Sequence, residues 1–310
     1  MSSANKPTAP FNKIVVVGSS GSLARYFIDA FKQVGDEFRV TLLASKQNAD
    51  KLKQELADLP QFSVVPVDYN NEEELVDALR NQEVVLSLLA AGGLAYQPAV
   101  VRAAQKAQVK WIIPSEYGTD HANKDIQELL VFSDKIKTRH LLESQNDIPY
   151  TYILTGAFAD TFLSPVFKWD LETHSYVVPG DGNKKNSFTP RQDIAAYALA
   201  TLRRLDQFRN ASVRVASHTL TPNEWVSEVE RISGKKLNLQ YESADEIRQH
   251  IRENTAEGNY NFEKVKDELA LTLAEGISRV NLGGYDLDSD NFHEVVPTPF
   301  EQIVSEQLKN

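Results

Sequence analysis

Two groups of residues in this 310-residue chain have the types and spacing to do chemistry. The first is Gly18-Ser19-Ser20-Gly21-Ser22-Leu23-Ala24, directly after the apolar run KIVVV. Gly18 permits a sharp turn, and Gly21 lets a ligand approach the backbone with no side chain in the way. The N–H groups that open the following helix, with the helix dipole behind them, favour a pyrophosphate. Ser19, Ser20 and Ser22 offer hydroxyl donors. The spacing is Gly-x-x-Gly-x-x-Ala rather than Gly-x-Gly-x-x-Gly, so a tight structural turn is the alternative. Its place as the first strand–turn–helix of an alternating pattern favours a dinucleotide. The second apolar run ends Leu43-Ala44-Ser45-Lys46. A carboxylate there would hold a ribose 2′-hydroxyl, whereas a lysine beside a hydroxyl suits a 2′-phosphate. The expected cofactor is therefore NADP(H), the plainer reading of Lys46 being a solvated lysine. Asp68, at the end of the third run, either contacts the adenine side or caps the next helix.

The second group is WIIPSEYGTD (111–120) with FSDKIKTRHLLE (132–143). Ser115, Glu116 and Tyr117 are expected at the carboxyl end of a strand, where open α/β sheets bind ligands. Lys135 falls within about 60° of Val131, Phe132 and Leu142 on a helical wheel, which turns its amine towards an apolar face. A desolvated lysine has a lowered pKa and exchanges protons near neutral pH. Glu128, Thr138 and Arg139 share that side, so a surface or salt-bridged lysine is the alternative. The six histidines are scattered, with no His-Glu-x-x-His and no close His/carboxylate cluster, so no metal centre is expected. A Gly-x-Ser-x-Gly elbow and a Walker motif are both missing. A single Tyr-x-x-x-Lys pair, Tyr260 and Lys264, lies far beyond the alternating pattern and is taken as chance.

These residues need a scaffold. The short apolar runs at 13–18, 38–44, 62–68, 83–89, 109–114 and 150–156 are β-branched-rich, as buried parallel strands are. Helix-period segments separate them. Leu23, Phe27, Ala30, Phe31 and Val34 share one apolar face, and further helices are expected over 71–80, 95–107 and 123–145. The fold class is α/β: a Rossmann-type doubly wound parallel sheet with a smaller, mostly helical substrate lobe. Residues 1–157 form the dinucleotide-binding domain, with 185–216 returning to it; 158–184 and 217–310 form the lobe. There Thr189-Pro190-Arg191-Gln192 and Thr221-Pro222-Asn223-Glu224 have the pattern of capping boxes. Phe162, Phe167, Trp169 and Tyr176 suit either an aromatic ligand or lobe packing. A substrate pocket is expected at the lobe junction.

Composition narrows the class. With 33 basic and 43 acidic residues the net charge is −10, which disfavours nucleic acid. No cysteine is present, which excludes disulfides, thiolate metal sites and thiol nucleophiles. The polar start carries no secretory pattern, and the longest apolar run, 84–95, falls short of the ~20 residues of a membrane span. A cytoplasmic protein is expected, a monomer or homodimer, without nucleic-acid or membrane partners.

The chain resembles the isoflavone-reductase-like and phenylcoumaran benzylic ether reductase branch of the NmrA-like atypical short-chain dehydrogenases. The resemblance rests on the Gly-x-x-Gly turn, on PSEYG (114–118) where the family reads PSEFG, and on FSDKIKTRHLLE. TGAFADTFL (155–163), VPGDGNKKNSFTPRQDIAAY (178–197) and PTPFEQIV (297–304) add to it. It implies an NADPH-dependent reductase of a small, aromatic or phenolic or quinone-like substrate. Carried over, Gly18, Ser20, Gly21, Ser22 and Leu23 cradle the pyrophosphate, and Ser45 and Lys46 take the 2′-phosphate. Leu89, Ala90 and Tyr117 line the ribose and nicotinamide side, and Gly156, Ala157 and Phe158 border the pocket. Lys135 is the general acid/base, close to the nicotinamide. Ala24 stands for the third glycine, Lys46 for an arginine, and Tyr117 for a phenylalanine, whose added hydroxyl is a second proton donor. A cofactor-sensing regulator without turnover is the other class of function; the presence of Lys135 favours the enzyme.

Overall fold

The structure, a computed structural model, describes residues 8–121, 123–145, 147–254 and 262–309. Tyr260 lies outside them. In chain order the elements are β1 (Lys13–Val17), α1 (Ser22–Gln33), β2 (Arg39–Ser45), α2 (Lys46–Glu55), β3 (Phe62–Val67), α3 (Glu72–Leu79) and β4 (Val84–Ser87). There follow α4 (Gln97–Lys106), β5 (Trp111–Ile113), α5 (Ser133–Glu143), β6 (Thr151–Leu154), β7 (Ala157–Phe158), β8 (Trp169–Asp170) and β9 (Ser175–Pro179). The rest are β10 (Asn186–Thr189), α6 (Arg191–Leu202), β11 (Ala211–Arg214), β12 (His218–Leu220), α7 (Pro222–Ser233), β13 (Asn238–Glu242), α8 (Ala244–Glu253), α9 (Phe262–Ala274) and α10 (Phe300–Gln307).

The chain divides into two units. The first comprises the described residues up to Glu116, Asp134–Ile153 and Ala195–Val213. Its sheet has the order β3-β2-β1-β4-β5, parallel throughout, as a doubly wound Rossmann-type fold requires. Ile14, Val15, Val16 and Val17 are each 0% exposed, because β1 is paired on both edges and covered on both faces. The sixth expected strand, β6, stays outside this ladder. It pairs with β11 and touches β5 through one parallel bridge, Ile112 to Tyr150. Pro149, beside that bridge, accepts from Ile112 N–H (2.9 Å) but has no N–H of its own to give.

One helix was expected over 123–145, but only α5 forms, preceded by short 3₁₀ turns at Lys124–Ile126 and Leu130–Phe132. The reason is a side chain far along the sequence. The Glu268 carboxylate accepts from Leu130 N–H (3.1 Å) and Val131 N–H (2.8 Å), donors that a continuous helix would direct to its preceding turn.

The second unit comprises Tyr117–Ser133, Leu154–Ile194 and the described residues from Arg214 onward. It holds two three-stranded sheets, β12-β10-β7 and β13-β9-β8, besides its helices. Phe162, Trp169, Tyr176, Phe188 and Trp225 form its core, with the Trp169 and Tyr176 rings stacked at 3.8 Å. This burial assigns Phe162, Trp169 and Tyr176 to packing. The box at Thr221 forms as expected. The one at Thr189 does not: its hydroxyl donates to Thr155 O (2.7 Å), and Asp160 accepts the Arg191 N–H instead (3.1 Å). Among the described residues no helix is long and apolar enough to cross a membrane.

Gly156 has φ +68°, and a Cβ there would lie 2.1 Å from the Ser187 carbonyl oxygen, which is backbone and cannot step aside. Gly156→Ala is therefore expected to cost about 3 kcal/mol or more, read as a lower midpoint in urea unfolding; an unchanged midpoint would contradict the close approach.

Candidate functional site

The turn after β1 is braced from below. Gly18 has φ +81°, and a Cβ there would come within 2.9 Å of Leu88 C and Leu89 N, so only glycine fits against the segment after β4. Gly18 N–H donates to the Tyr69 hydroxyl (3.1 Å), which itself donates to Leu43 O (3.0 Å). Ser19 is turned inward, its hydroxyl on Leu43 O (2.7 Å), so it is a structural serine and not the ligand donor expected from sequence. Ser20, Gly21 and Ser22 are exposed, while Leu23 is buried under the turn.

The starts of α1, α2 and α4 carry neither a side-chain cap nor a first-turn acid, whereas other helices are capped. Asn71 caps α3, Thr221 caps α7 and Ser243 caps α8, each with a side-chain oxygen on backbone N–H. At α1 the cap position is Gly21, with no side-chain hydrogen bond and no acidic residue in the first turn. Its first N–H groups are left to an outside acceptor, and the dipole favours an anion. A Cβ at Gly21 would meet nothing nearer than 3.6 Å, so the approach is open. These features fit a phosphate-bearing cofactor.

The end of β2 adjoins this turn. Asn48 Nδ2 donates to Ser20 Oγ (3.2 Å) and Ser45 Oγ (3.1 Å), tying the two together. Lys46, 65% exposed at its side chain, pairs with Glu74 at 3.2 Å. Glu74 is held below the usual carboxylate range by the Asp68 N–H and then by Lys46. Asp68 accepts from Asn70 N–H and Nδ2, and it is Asn71 that caps α3. Burial raises the Tyr69 hydroxyl above its ordinary pKa, which keeps it a neutral bridge.

Leu89 and Ala90 follow β4, and Ser115 follows β5. The Ser115 hydroxyl donates to Leu89 O (2.7 Å), and Gln97 Oε1 accepts from both Ser115 N–H and Ser87 Oγ (2.8 Å each). Glu116 is next. Lys135 Nζ donates to its main-chain carbonyl, while its carboxylate pairs with Arg139 Nη2 at 2.9 Å. That ion pair is buried, with side chains 0% and 7% exposed, and the guanidinium lies 4.5 Å above the Tyr152 ring. Burial lowers the pKa of Lys135; Glu116 opposes this and Arg139 adds to it. Such an amine can pass a proton nearer neutral pH than an exposed lysine.

Contacts in the first unit thus link Gly18–Leu23, Ser45, Lys46, Leu89, Ala90 and Lys135 in series. Tyr117, Gly156, Ala157 and Phe158 belong to the second unit. Tyr117 is buried at φ +25°, and burial pushes its hydroxyl well above the ordinary range, so that proton is held tightly. Gly118 O accepts from Thr155 N–H (3.0 Å) and Gly156 N–H (3.1 Å), and Ala157 and Phe158 pair with Phe188 and Thr189. Sequence reading missed Tyr69, Asn48, Gln97 and the Glu116–Arg139 pair; the i, i+4 spacing of Lys135 and Arg139 was the available signal for the last. It also missed that Glu242, His250 and Asp267 converge, their ligand atoms within 4.8 Å of one another. The Lys168 ammonium already pairs with both carboxylates there.

A sequence model of the NmrA-like family matches residues 10–282. Isoflavone reductase homolog A622 of Nicotiana glauca is 29% identical over 254 residues, 78% of this chain and 81% of its own. A crystal structure of isoflavone reductase superposes with TM-score 0.78 at 23% identity, covering 96% of this chain and 99% of its own. The leucoanthocyanidin reductase–NADPH complex from Vitis vinifera gives TM-score 0.78 at 20% identity, with the same coverage.

Tyr69→Phe removes the one hydroxyl between Gly18 N–H and Leu43 O. It is expected to lower unfolding free energy by about 1–2 kcal/mol, and unchanged stability would show the brace to be idle.

Proposed function

This chain belongs to the NmrA-like family, and on that premise we propose that it is an NADPH-dependent reductase of a small aromatic, phenolic or quinone-like molecule. The observation that carries the reading is the uncapped, acid-free start of α1 at Gly21, tied through Asn48 to Ser45 beside Lys46. The named relatives are an isoflavone reductase homolog, an isoflavone reductase and a leucoanthocyanidin reductase, the last superposing as its NADPH complex. Bound here, the dinucleotide supplies a hydride to an electrophilic carbon of the substrate.

The chain's residues do the rest. Backbone N–H groups of Ser20, Ser22 and Leu23 hold the pyrophosphate, while Gly21, whose own N–H goes to Gly18 O (3.2 Å), lets it come close. Ser45 and Lys46 hold the 2′-phosphate, for which Lys46, its side chain largely exposed, exchanges its Glu74 partner. Exposed pairs contribute little, so this exchange costs little. Leu89 and Ala90 line the ribose and nicotinamide side. Lys135 supplies the proton that completes reduction, its ammonium weakened by burial and steadied on the Glu116 carbonyl. Tyr117, Gly156, Ala157 and Phe158, all in the second unit, are the residues that the family resemblance assigns to the substrate. Tyr117 contributes shape more than a proton, given how firmly burial holds its hydroxyl.

Fluorescence titration should show NADPH binding more tightly than NADH. Lys46→Ala should weaken NADPH about tenfold and leave NADH almost unchanged. Lys135→Ala should lower kcat against a panel of phenylpropanoids, quinones and enones by about 10²–10⁴ while keeping cofactor affinity. Saturation with NADPH and no turnover of any panel member by the wild type would replace the reductase with a cofactor sensor.

A further inference from the structure

Two cations of α5 converge on one residue. Lys135 and Arg139 stand i, i+4 on one helix face, and both reach Glu116. They reach different parts of it. Lys135 donates to the main-chain carbonyl, whereas Arg139 takes the carboxylate at 2.9 Å in a fully buried pair. The carboxylate is thus already neutralised by a permanent cation before the amine meets it.

We propose that Arg139 is a positioning residue for Lys135: by taking up the Glu116 charge it leaves the amine facing a neutral carbonyl instead of a counter-ion, and so sets the pH at which Lys135 gives up its proton. The inference rests on Lys135 being the proton donor. The charges that bear on the amine are Glu116 from the segment after β5 and Arg139 from α5 itself. β6 adds Tyr152 beneath the guanidinium, its hydroxyl raised by burial and by Glu143, to which it donates at 3.2 Å. Tyr150, stacked on Tyr152, is raised for the same reasons, and Tyr117, next to Glu116 in the chain, is held neutral by burial. Glu116 and Arg139 are therefore the two levers.

They pull in opposite directions. Removing the carboxylate leaves Arg139 to repel the ammonium, and the proton comes off at lower pH. Removing the guanidinium hands the buried carboxylate to Lys135, and the proton is held to higher pH. Neither change touches the hydrogen bond to the main-chain carbonyl. An acid is lost as pH rises through its pKa, so the alkaline fall in kcat/KM should come earlier in Glu116→Gln and later in Arg139→Gln.

The test is an NMR titration of protein with ¹³C-labelled lysine side chains, Lys135→Ala assigning the signal, with kcat/KM measured over the same pH range. Glu116→Gln should move the Lys135 midpoint down by about one pH unit and Arg139→Gln up by about one. The double variant Glu116→Gln/Arg139→Gln should return close to wild type. Coincident midpoints, or two single variants that move the same way, overturn the proposal, because a merely structural pair would not give opposite signs. Arg139→Gln strands a buried carboxylate, and where it fails to fold, Glu116→Gln against the double variant still decides. Midpoints that shift as expected without the rate profile following uphold the charge device and overturn Lys135 as the proton donor.

Discussion

Parallel pairing of β1 on both of its edges is the constraint from which the candidate site follows. A strand paired in parallel on two sides sends the chain across the sheet after each strand, and each crossover returns it to the same end. The carboxyl ends of β1, β2, β4 and β5 are thereby collected along one edge. Gly18, Ser45, Leu89 and Ser115 all stand there, drawn from positions up to 97 residues apart in the sequence. The closeness of that edge is visible in Gly18, which has no room for a Cβ against Leu88 and Leu89. Hydrogen bonds then cross-link it: Tyr69 under the first turn, Asn48 between the first and second, and Ser115 to Leu89.

At the far end of this edge the chemistry passes from neutral donors to charge. A carboxylate with no exposure is costly unless paired, and Arg139 pairs it. Such a pair adds little net stability compared with apolar residues of the same volume, so its presence calls for another reason. The segment it anchors carries Ser115 and Glu116 and the helix it anchors carries Lys135, so the pair fastens α5 to the segment after β5. The Tyr152 ring packs against the guanidinium at 4.5 Å.

Much of the first unit was legible in the sequence. A β-branched apolar run of five or six residues between glycines and helix-period segments has few ways to satisfy its backbone and bury both faces, and the parallel sheet is the common one. The turn residues Gly18 and Gly21 were legible for a related reason: a positive φ and an open backbone approach are needs that glycine meets locally. Less was legible wherever a backbone or side-chain donor had several acceptors within reach. Ser19 went to Leu43 O instead of outward, Thr189 to Thr155 O instead of its own helix, and Asn71 displaced Asp68 at the start of α3. The shortened α5 belongs here as well, since Glu268 takes donors that local spacing assigns to a helix.

Periodicity and residue type by themselves determined the strand–helix alternation, the sharp turn after the first strand, the missing thiol chemistry and the presence of a lysine on a partly apolar helix face. These are local properties, settled by φ, side-chain volume and the spacing of apolar residues within a few turns of chain. Tertiary structure alone decided which serine faces inward, that Tyr69 braces the turn, and that the carboxylate at Glu116 belongs to Arg139 while its carbonyl belongs to Lys135. Hydrogen bonds and ion pairs are short-ranged and go to whichever partner the packed backbone brings within about 3 Å, and in these cases that partner sits 19 to 51 residues away in the sequence.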